Sequence, residues 1–144
     1  MLSLKGVRPK IWLFRWLFVV ALTGCAAQHP WRSLPERTLP FDQAWALIEE
    51  SAKARFPKFI VIEPEKGYLQ SDWRLEQIGL LIGTPVSRTR LILWVPNRSP
   101  IRIFLKVERE EYSLLLGRWL DKTSADDPVL LEIAQDVNSK LQRF

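Results

Sequence analysis

The chain has 144 residues, of which 47% are hydrophobic and 26% charged, and its formal net charge is +5 at pH 7. Four of its 21 Lys and Arg precede residue 16, and beyond that point the other 17 are interspersed with 16 acids without forming a basic block. This balance argues against a nucleic-acid partner, and the single cysteine excludes an intramolecular disulfide.

The N-terminus is basic, then apolar, and then small up to that cysteine. The cations are Lys5, Arg8, Lys10 and Arg15. Residues 16–22 are apolar, and Thr23 and Gly24 follow them. This order is typical of a secretory signal. A transmembrane helix needs roughly 20 consecutive apolar residues, so a permanent span is not expected here.

Residues 22–25, Leu22-Thr23-Gly24-Cys25, resemble the lipobox of bacterial lipoproteins. The resemblance implies that a thioether-linked diacylglycerol is placed on Cys25, that residues 1–24 are removed as a signal peptide, and that the new amine is acylated. Such an anchor would be effectively permanent, since each buried methylene contributes about 0.8 kcal/mol. Lipoproteins that are retained in the inner membrane often carry Asp directly after the cysteine, where this chain has Ala26. The resemblance therefore implies an outer-membrane location with the domain facing the periplasm. The alternative is a soluble exported protein with an unrelated cysteine, or a misassigned start codon.

Residues 25–40 are predicted to form an extended tether, because Pro30, Pro35 and Pro40 interrupt a segment without hydrophobic periodicity. Trp31 within it is interpreted either as an anchor at the membrane interface or a partner contact, or as a residue that packs on its own domain. The tether is expected to lead into a single α+β domain spanning residues 41–144.

Two helices are predicted at the ends of that domain. Residues 41–56 form the first, between Pro40 and Pro57. Its expected core face is Phe41, Ala44, Trp45, Ile48 and Ala52. The second begins where Asp126 and Asp127, an acidic N-cap signal, precede Pro128. Its expected core face is Leu130, Ile133, Ala134, Val137 and Leu141.

Between the helices, alternating patterns predict a four- to five-stranded antiparallel sheet. The four clear strands are residues 59–63, 68–75, 86–95 and 101–108. Residues 112–120 are either a fifth strand or a helical turn, with Trp119 over the edge of the core. The expected inward residues are Leu69, Ser71, Trp73, Leu75, Leu91, Leu93, Val95, Ile101, Ile103, Leu105 and Val107.

The order of helix, antiparallel sheet and helix resembles the helix-grip domains of BamC, the accessory lipoprotein of the β-barrel assembly machinery. The residues that carry the resemblance are Phe41 with Ala44-Trp45, residues 67–73 (GYLQSDW) and residues 88–95. The resemblance implies a scaffold or assembly role at the outer membrane. BamC-type proteins have two such domains and a long N-terminal arm, whereas this chain has one domain and a short tether, so no partner-binding residue is carried over.

The second face of the predicted sheet is the candidate partner-binding surface. Tyr68, Ile92, Trp94 and Phe104 should point away from the core, with Arg90, Arg102 and Lys106 among them. Aromatic residues and Arg are enriched at protein interfaces. The alternative is that a helix or residues 112–120 cover this face. The apolar connection at residues 78–82 (IGLLI) is a second candidate contact, with core packing as its alternative.

No residue set predicts catalysis, a cofactor or a metal site. The only histidine, His29, lies in the tether, and a Gly-rich phosphate loop is absent from the sequence. The sequence therefore favours a non-enzymatic lipoprotein that binds an envelope protein. One alternative is a periplasmic carrier of a lipid or another apolar ligand between helix and sheet. A third hypothesis is a cell-wall hydrolase that pairs Asp72 with Glu63 or Glu108.

Overall fold

A computed structural model describes residues 30–77 and 86–144. Within them the chain forms an α+β domain in which two helices pack on one face of a seven-stranded antiparallel sheet. The helices are α1 (Phe41–Arg55) and α2 (Pro128–Leu141). The strands are β1 (Arg32–Ser33), β2 (Phe59–Glu63), β3 (Tyr68–Ser71), β4 (Arg74–Gln77), β5 (Val86–Arg98), β6 (Ile101–Ser113) and β7 (Arg118–Asp121).

The sheet is built around the long β5–β6 hairpin, whose strands have 13 residues each. The order across the sheet is β1-β6-β5-β3-β2. β4 also pairs with β5, and β7 also pairs with β6, each along the half of the hairpin farther from its turn. Seven strand segments therefore occupy only five positions across the sheet. The count differs from the predicted four to five strands because residues 68–75 form two strands and because β1 was not predicted.

Both helices lie where the sequence predicted them. Pro40 occupies the N-cap of α1, and the helix ends just before Phe56 and Pro57. At α2, Asp127 Oδ1 accepts a hydrogen bond of 2.9 Å from the backbone N–H of Val129. The side chains predicted to form the core face of α2 are all buried, and so are Ala44, Trp45, Ile48 and Ala52 of α1.

The core lies between the helices and one face of the sheet. β5 contributes Leu91, Leu93 and Val95, and β6 contributes Ile101, Ile103, Leu105 and Val107, as the alternation predicted. Gly67 immediately precedes β3, the strand that borders β5, and has a left-handed conformation with φ +62°. A Cβ there would lie 2.4 Å from the carbonyl oxygen of Val95, so both the turn and the strand packing require glycine.

The predicted strand 68–75 is wrong at its centre. β3 ends at Ser71 and β4 starts at Arg74, and between them Asp72 donates its N–H to the carbonyl of Lys58, next to the start of β2. The break reverses the alternation. Leu69 and Ser71 face the core as predicted, but Leu75 is 66% exposed and Trp73 contacts arginines on the other face of the sheet.

Residues 112–120 contain both a turn and a strand. β6 continues to Ser113, residues 114–117 form the turn, and β7 returns along β6. The three leucines of the turn are thus neither strand nor helix. Trp119 does not lie over the core edge, because its ring packs against Tyr112 and Arg88 on the face away from the helices.

The described part of the predicted tether lies along the edge of the sheet. Arg32 and Ser33 pair with Leu105 and Phe104 of β6, and Arg37 forms an isolated bridge with Ile101. This strand has only two residues, so no periodic pattern announces it. The predicted signal peptide, Cys25 and His29 lie outside the described residues, as does the connection at residues 78–82.

The buried cap of α2 generates a stability prediction. Asp127 caps the helix and also accepts a 2.6 Å hydrogen bond from Arg109 Nε on β6, while its side chain is 3% exposed. Asp127→Ala should lower the free energy of unfolding by about 2–4 kcal/mol, because it removes the cap and one member of a buried ion pair. Denaturant unfolding measures the change. Asp126→Ala, at the exposed neighbouring position, should stay within about 0.5 kcal/mol of wild type. Equal losses in both variants would contradict this role of Asp127.

Candidate functional site: the outer face of the sheet

The outer face is the side of the sheet that points away from α1 and α2. Because Leu91, Leu93, Leu105 and Val107 point toward the helices, the residues between them on β5 and β6 point outward. The antiparallel register aligns these outward residues in rows across neighbouring strands. The predicted partner-binding residues therefore lie on one continuous surface.

The first row is aromatic. Tyr68 of β3 pairs with Trp94 of β5, and Trp94 pairs with Phe104 of β6. The rings of Trp94 and Phe104 are 5.9 Å apart between centroids. Trp94 is 45% exposed, which is unusual for so large an apolar side chain. We call Tyr68, Trp94 and Phe104 the aromatic row.

The next rows are charged. Arg90 pairs across the strands with Glu108, and Arg88 with Glu110, whose carboxylate accepts a 2.7 Å hydrogen bond from Arg88 Nε. Lys106 also forms an ion pair with Glu108. We call Arg88, Arg90, Lys106, Glu108 and Glu110 the charged ladder. Each cation has a carboxylate partner, although Arg90 and Lys106 share Glu108, so the ladder keeps a small excess of positive charge.

The remaining predicted residues have different surroundings. Ile92 lies between the aromatic row and the ladder but is only 8% exposed, so it supports the surface from beneath. Arg102 is exposed and forms an ion pair with Glu36. Trp31 packs on its own domain, with the Lys106 ammonium 5.5 Å from its ring centroid.

Sequence reasoning did not assign Trp73, Arg88, Glu110 or Trp119 to this face. The guanidinium of Arg88 lies 4.5 Å from the ring centroid of Trp73 and 4.2 Å from that of Trp119. Arg90 also lies 4.5 Å from the Trp73 ring. Counting outward from the hairpin turn would not have found the ladder, because the irregularity between Trp94 and Asn97 shifts the register by one residue. Nothing in the alternation could have placed Trp73, because that pattern pointed it inward.

An open groove of about 500 Å³ runs beside the ladder. It is lined by Pro30, Arg90, Lys106, Glu108, Glu110, Asp121 and Thr123. Hydrogen bonds from Thr123 lower the pKa of Asp121. Burial alone would raise the pKa of Glu108, but hydrogen bonds from Lys106 and Arg90 outweigh it and hold that pKa below its ordinary value. These carboxylates therefore stay charged at neutral pH, and the groove offers both donors and acceptors to a polar ligand or peptide.

Of the carboxylates considered for hydrolysis, Asp72 and Glu63 lie at opposite ends of the β2–β3 ladder, and Glu108 is held by cations. Glu63 is opposite Tyr68 in the β2–β3 ladder, whereas Asp72 lies beyond the other end of that ladder. Glu108 is bonded to Arg90 and Lys106, and Asp72 accepts a hydrogen bond from the N–H of Trp73.

Two further properties, metal binding and membrane spanning, concern the described residues only. Among residues 30–77 and 86–144, no cluster of three or more His, Cys, Asp or Glu side chains is placed to hold a metal ion. None of the helices in this part of the chain is long and apolar enough to cross a membrane.

No protein-family model matches the chain, and no curated protein sequence matches it. Its function is therefore inferred from the N-terminal motif and from the outer face.

The ladder generates a pH prediction. The folded pKa of Glu108 lies below its ordinary value of 4.5, so its charge stabilises the fold above that value and this contribution is lost as the pH falls through the folded pKa. Glu108→Gln should therefore be less stable than wild type at neutral pH, and the two free energies of unfolding should converge as the pH falls. Urea unfolding measured across the acidic range tests this. Glu65→Gln, at an exposed carboxylate, should keep the wild-type profile. A constant difference between wild type and Glu108→Gln at every pH would contradict the prediction.

Proposed function

We propose that this protein is a lipid-anchored, non-enzymatic accessory factor of the cell envelope, which binds a protein partner through the outer face of its sheet. Its lipid would be attached to Cys25, and the domain would face the periplasm from the outer membrane. The lipobox-like residues 22–25 support the anchor, and the aromatic row supports the partner surface.

The observation that carries the proposal is the exposure of Trp94 within the aromatic row. Tyr68, Trp94 and Phe104 lie side by side on a sheet face that neither helix covers. Beside them, the charges of the ladder already have partners, so contact with a protein surface would leave few charges without a partner. A flat apolar centre with a polar, charge-matched border is the common anatomy of a protein interface.

The order of helix, antiparallel sheet and helix also supports the resemblance to helix-grip domains of BamC-type lipoproteins. Both helices pack on the same face of the sheet, as that architecture requires. The division of the sheet into seven strand segments departs from the four or five that we expected. The assembly role implied by the resemblance remains part of the proposal, since a shared architecture alone does not fix a function.

Packing between the two layers favours surface binding over the carrier alternative. Ile48 of α1, Ile133 of α2, and Leu91 and Leu105 of the sheet are each at most 1% exposed. These side chains fill the space in which a carrier would hold its ligand. The hydrolase hypothesis has less support, because Asp72 and Glu63 lie at opposite ends of the β2–β3 ladder and the carboxylate of Glu108 is bound by Arg90 and Lys106.

Affinity purification from detergent-solubilised membranes tests the partner surface. Trp94→Ala should reduce recovery of a stoichiometric envelope partner about tenfold, because truncating a central interface aromatic often costs more than 1 kcal/mol. Phe104→Ala should act in the same direction. Phe144→Ala removes an aromatic side chain that is 75% exposed outside this face, and it should leave recovery unchanged.

Retention of the partner by both the Trp94 and the Phe104 variant would contradict the assignment of the outer face. The anchor is tested separately in the same preparation. Cys25→Ser should leave the signal peptide uncleaved and the acyl chains absent. Acylation and cleavage that persist in the Cys25→Ser protein would contradict the lipid assignment.

A further inference from the structure

The turn between β6 and β7 exposes three consecutive leucines. Leu114 is 66% exposed, Leu115 93% and Leu116 54%. The turn is held in place: Gly117 donates its N–H to the carbonyl of Ser113 at 2.8 Å, and Leu116 donates to the Ser113 hydroxyl at 3.2 Å. We call these three leucines the leucine tip. Such a contiguous apolar protrusion marks a site of contact with a protein or a membrane.

The residues behind the tip indicate a membrane. Tyr112 and Trp119 face each other across the two strands, with ring centroids 5.4 Å apart, directly behind the leucines. Tyr and Trp are enriched at membrane–water interfaces because they are both apolar and hydrogen-bonding. Arg118, exposed beside the tip, can meet an anionic headgroup. Moving away from the turn, the apolar tip is thus followed by a cation and then by an aromatic pair, and all three are residue types found at a bilayer surface.

The N-terminal segment approaches the same end of the sheet. β1 runs antiparallel to β6, with Arg32 opposite Leu105, so the residues before it run toward the C-terminal end of β6. Pro30 accordingly lines the groove beside Glu108. Leu114, the first residue of the tip, is six positions beyond Glu108 along the chain, or about 20 Å. The five residues from Pro30 back to Cys25 reach at most about 17 Å.

We propose that the leucine tip inserts into the lipid leaflet that holds the Cys25 anchor. This inference rests on the proposed lipidation of Cys25. Two attachment points, the acyl chains and the tip, orient the domain on the membrane. Phe104 of the aromatic row lies ten positions before Leu114 along the chain, which corresponds to about 33 Å of extended strand. The partner surface therefore faces away from the membrane, toward the periplasm.

A fluorescent probe on the full-length protein tests the insertion. Leu115→Cys, purified from membranes with its lipid, is labelled with an environment-sensitive maleimide dye and reconstituted into vesicles of phosphatidylethanolamine and phosphatidylglycerol. Emission should shift to the blue and rise severalfold, and lipids carrying a quencher in the acyl chain should quench it. The matched control is Asn97→Cys, an exposed position near the opposite end of the hairpin, whose emission should stay that of a probe in water.

Adding Leu114→Ser and Leu116→Ser to the Leu115→Cys protein should abolish the shift in emission. An aqueous probe at position 115 on lipidated protein would overturn the insertion. An aqueous probe in pure lipid that shifts only when envelope proteins are added would also overturn it and assign the tip to a protein. The wild-type protein should take no label, because the sulfur of Cys25, its only cysteine, would be a thioether and not a free thiol. Labelling of wild type would overturn the anchor itself, a result distinct from failure of the tip alone.

Discussion

The one-sided packing of both helices is the constraint on which the rest of the structure depends. A single sheet has two faces, and α1 and α2 bury only one of them. Because successive side chains of a strand point to opposite faces, every second side chain of the sheet lies on the face that the helices do not cover. In the described part of the chain, that face is shielded from water only by its own side chains and by the N-terminal segment.

The outer face meets this constraint differently along its length. In the charged ladder, cross-strand ion pairs and the stacking of Arg88 between Trp73 and Trp119 shield the sheet without a covering layer. In the aromatic row, Trp94 keeps 45% of its surface exposed. Apolar area left in water is the free energy that a partner can recover, so the row is where binding would be favourable. If the leucine tip meets lipid, the same sheet presents one end to the membrane and the other to a protein.

Periodic patterns predicted the elements that local chemistry determines, and missed those that pairing determines. Proline and acidic caps defined both helices, and strict alternation identified the inward residues of β5 and β6. An interruption at residues 72–73 divides a strand that looked continuous, and Trp73 and Leu75 lie on the face opposite the predicted one. β1 has two residues and exists only because β6 offers an edge, so no local signal could reveal it. Trp119 was misplaced for a similar reason, since the position of β7 depends on β6.

Site-specific crosslinking in intact cells tests the partner surface most directly. A photoreactive phenylalanine analogue replaces Trp94 in the full-length protein, in cells that normally make it, and the same analogue replaces Phe144 as the control. The account predicts that irradiation joins position 94 to one envelope protein and leaves position 144 without that adduct. No adduct at position 94, or the same adducts at both positions, would contradict it.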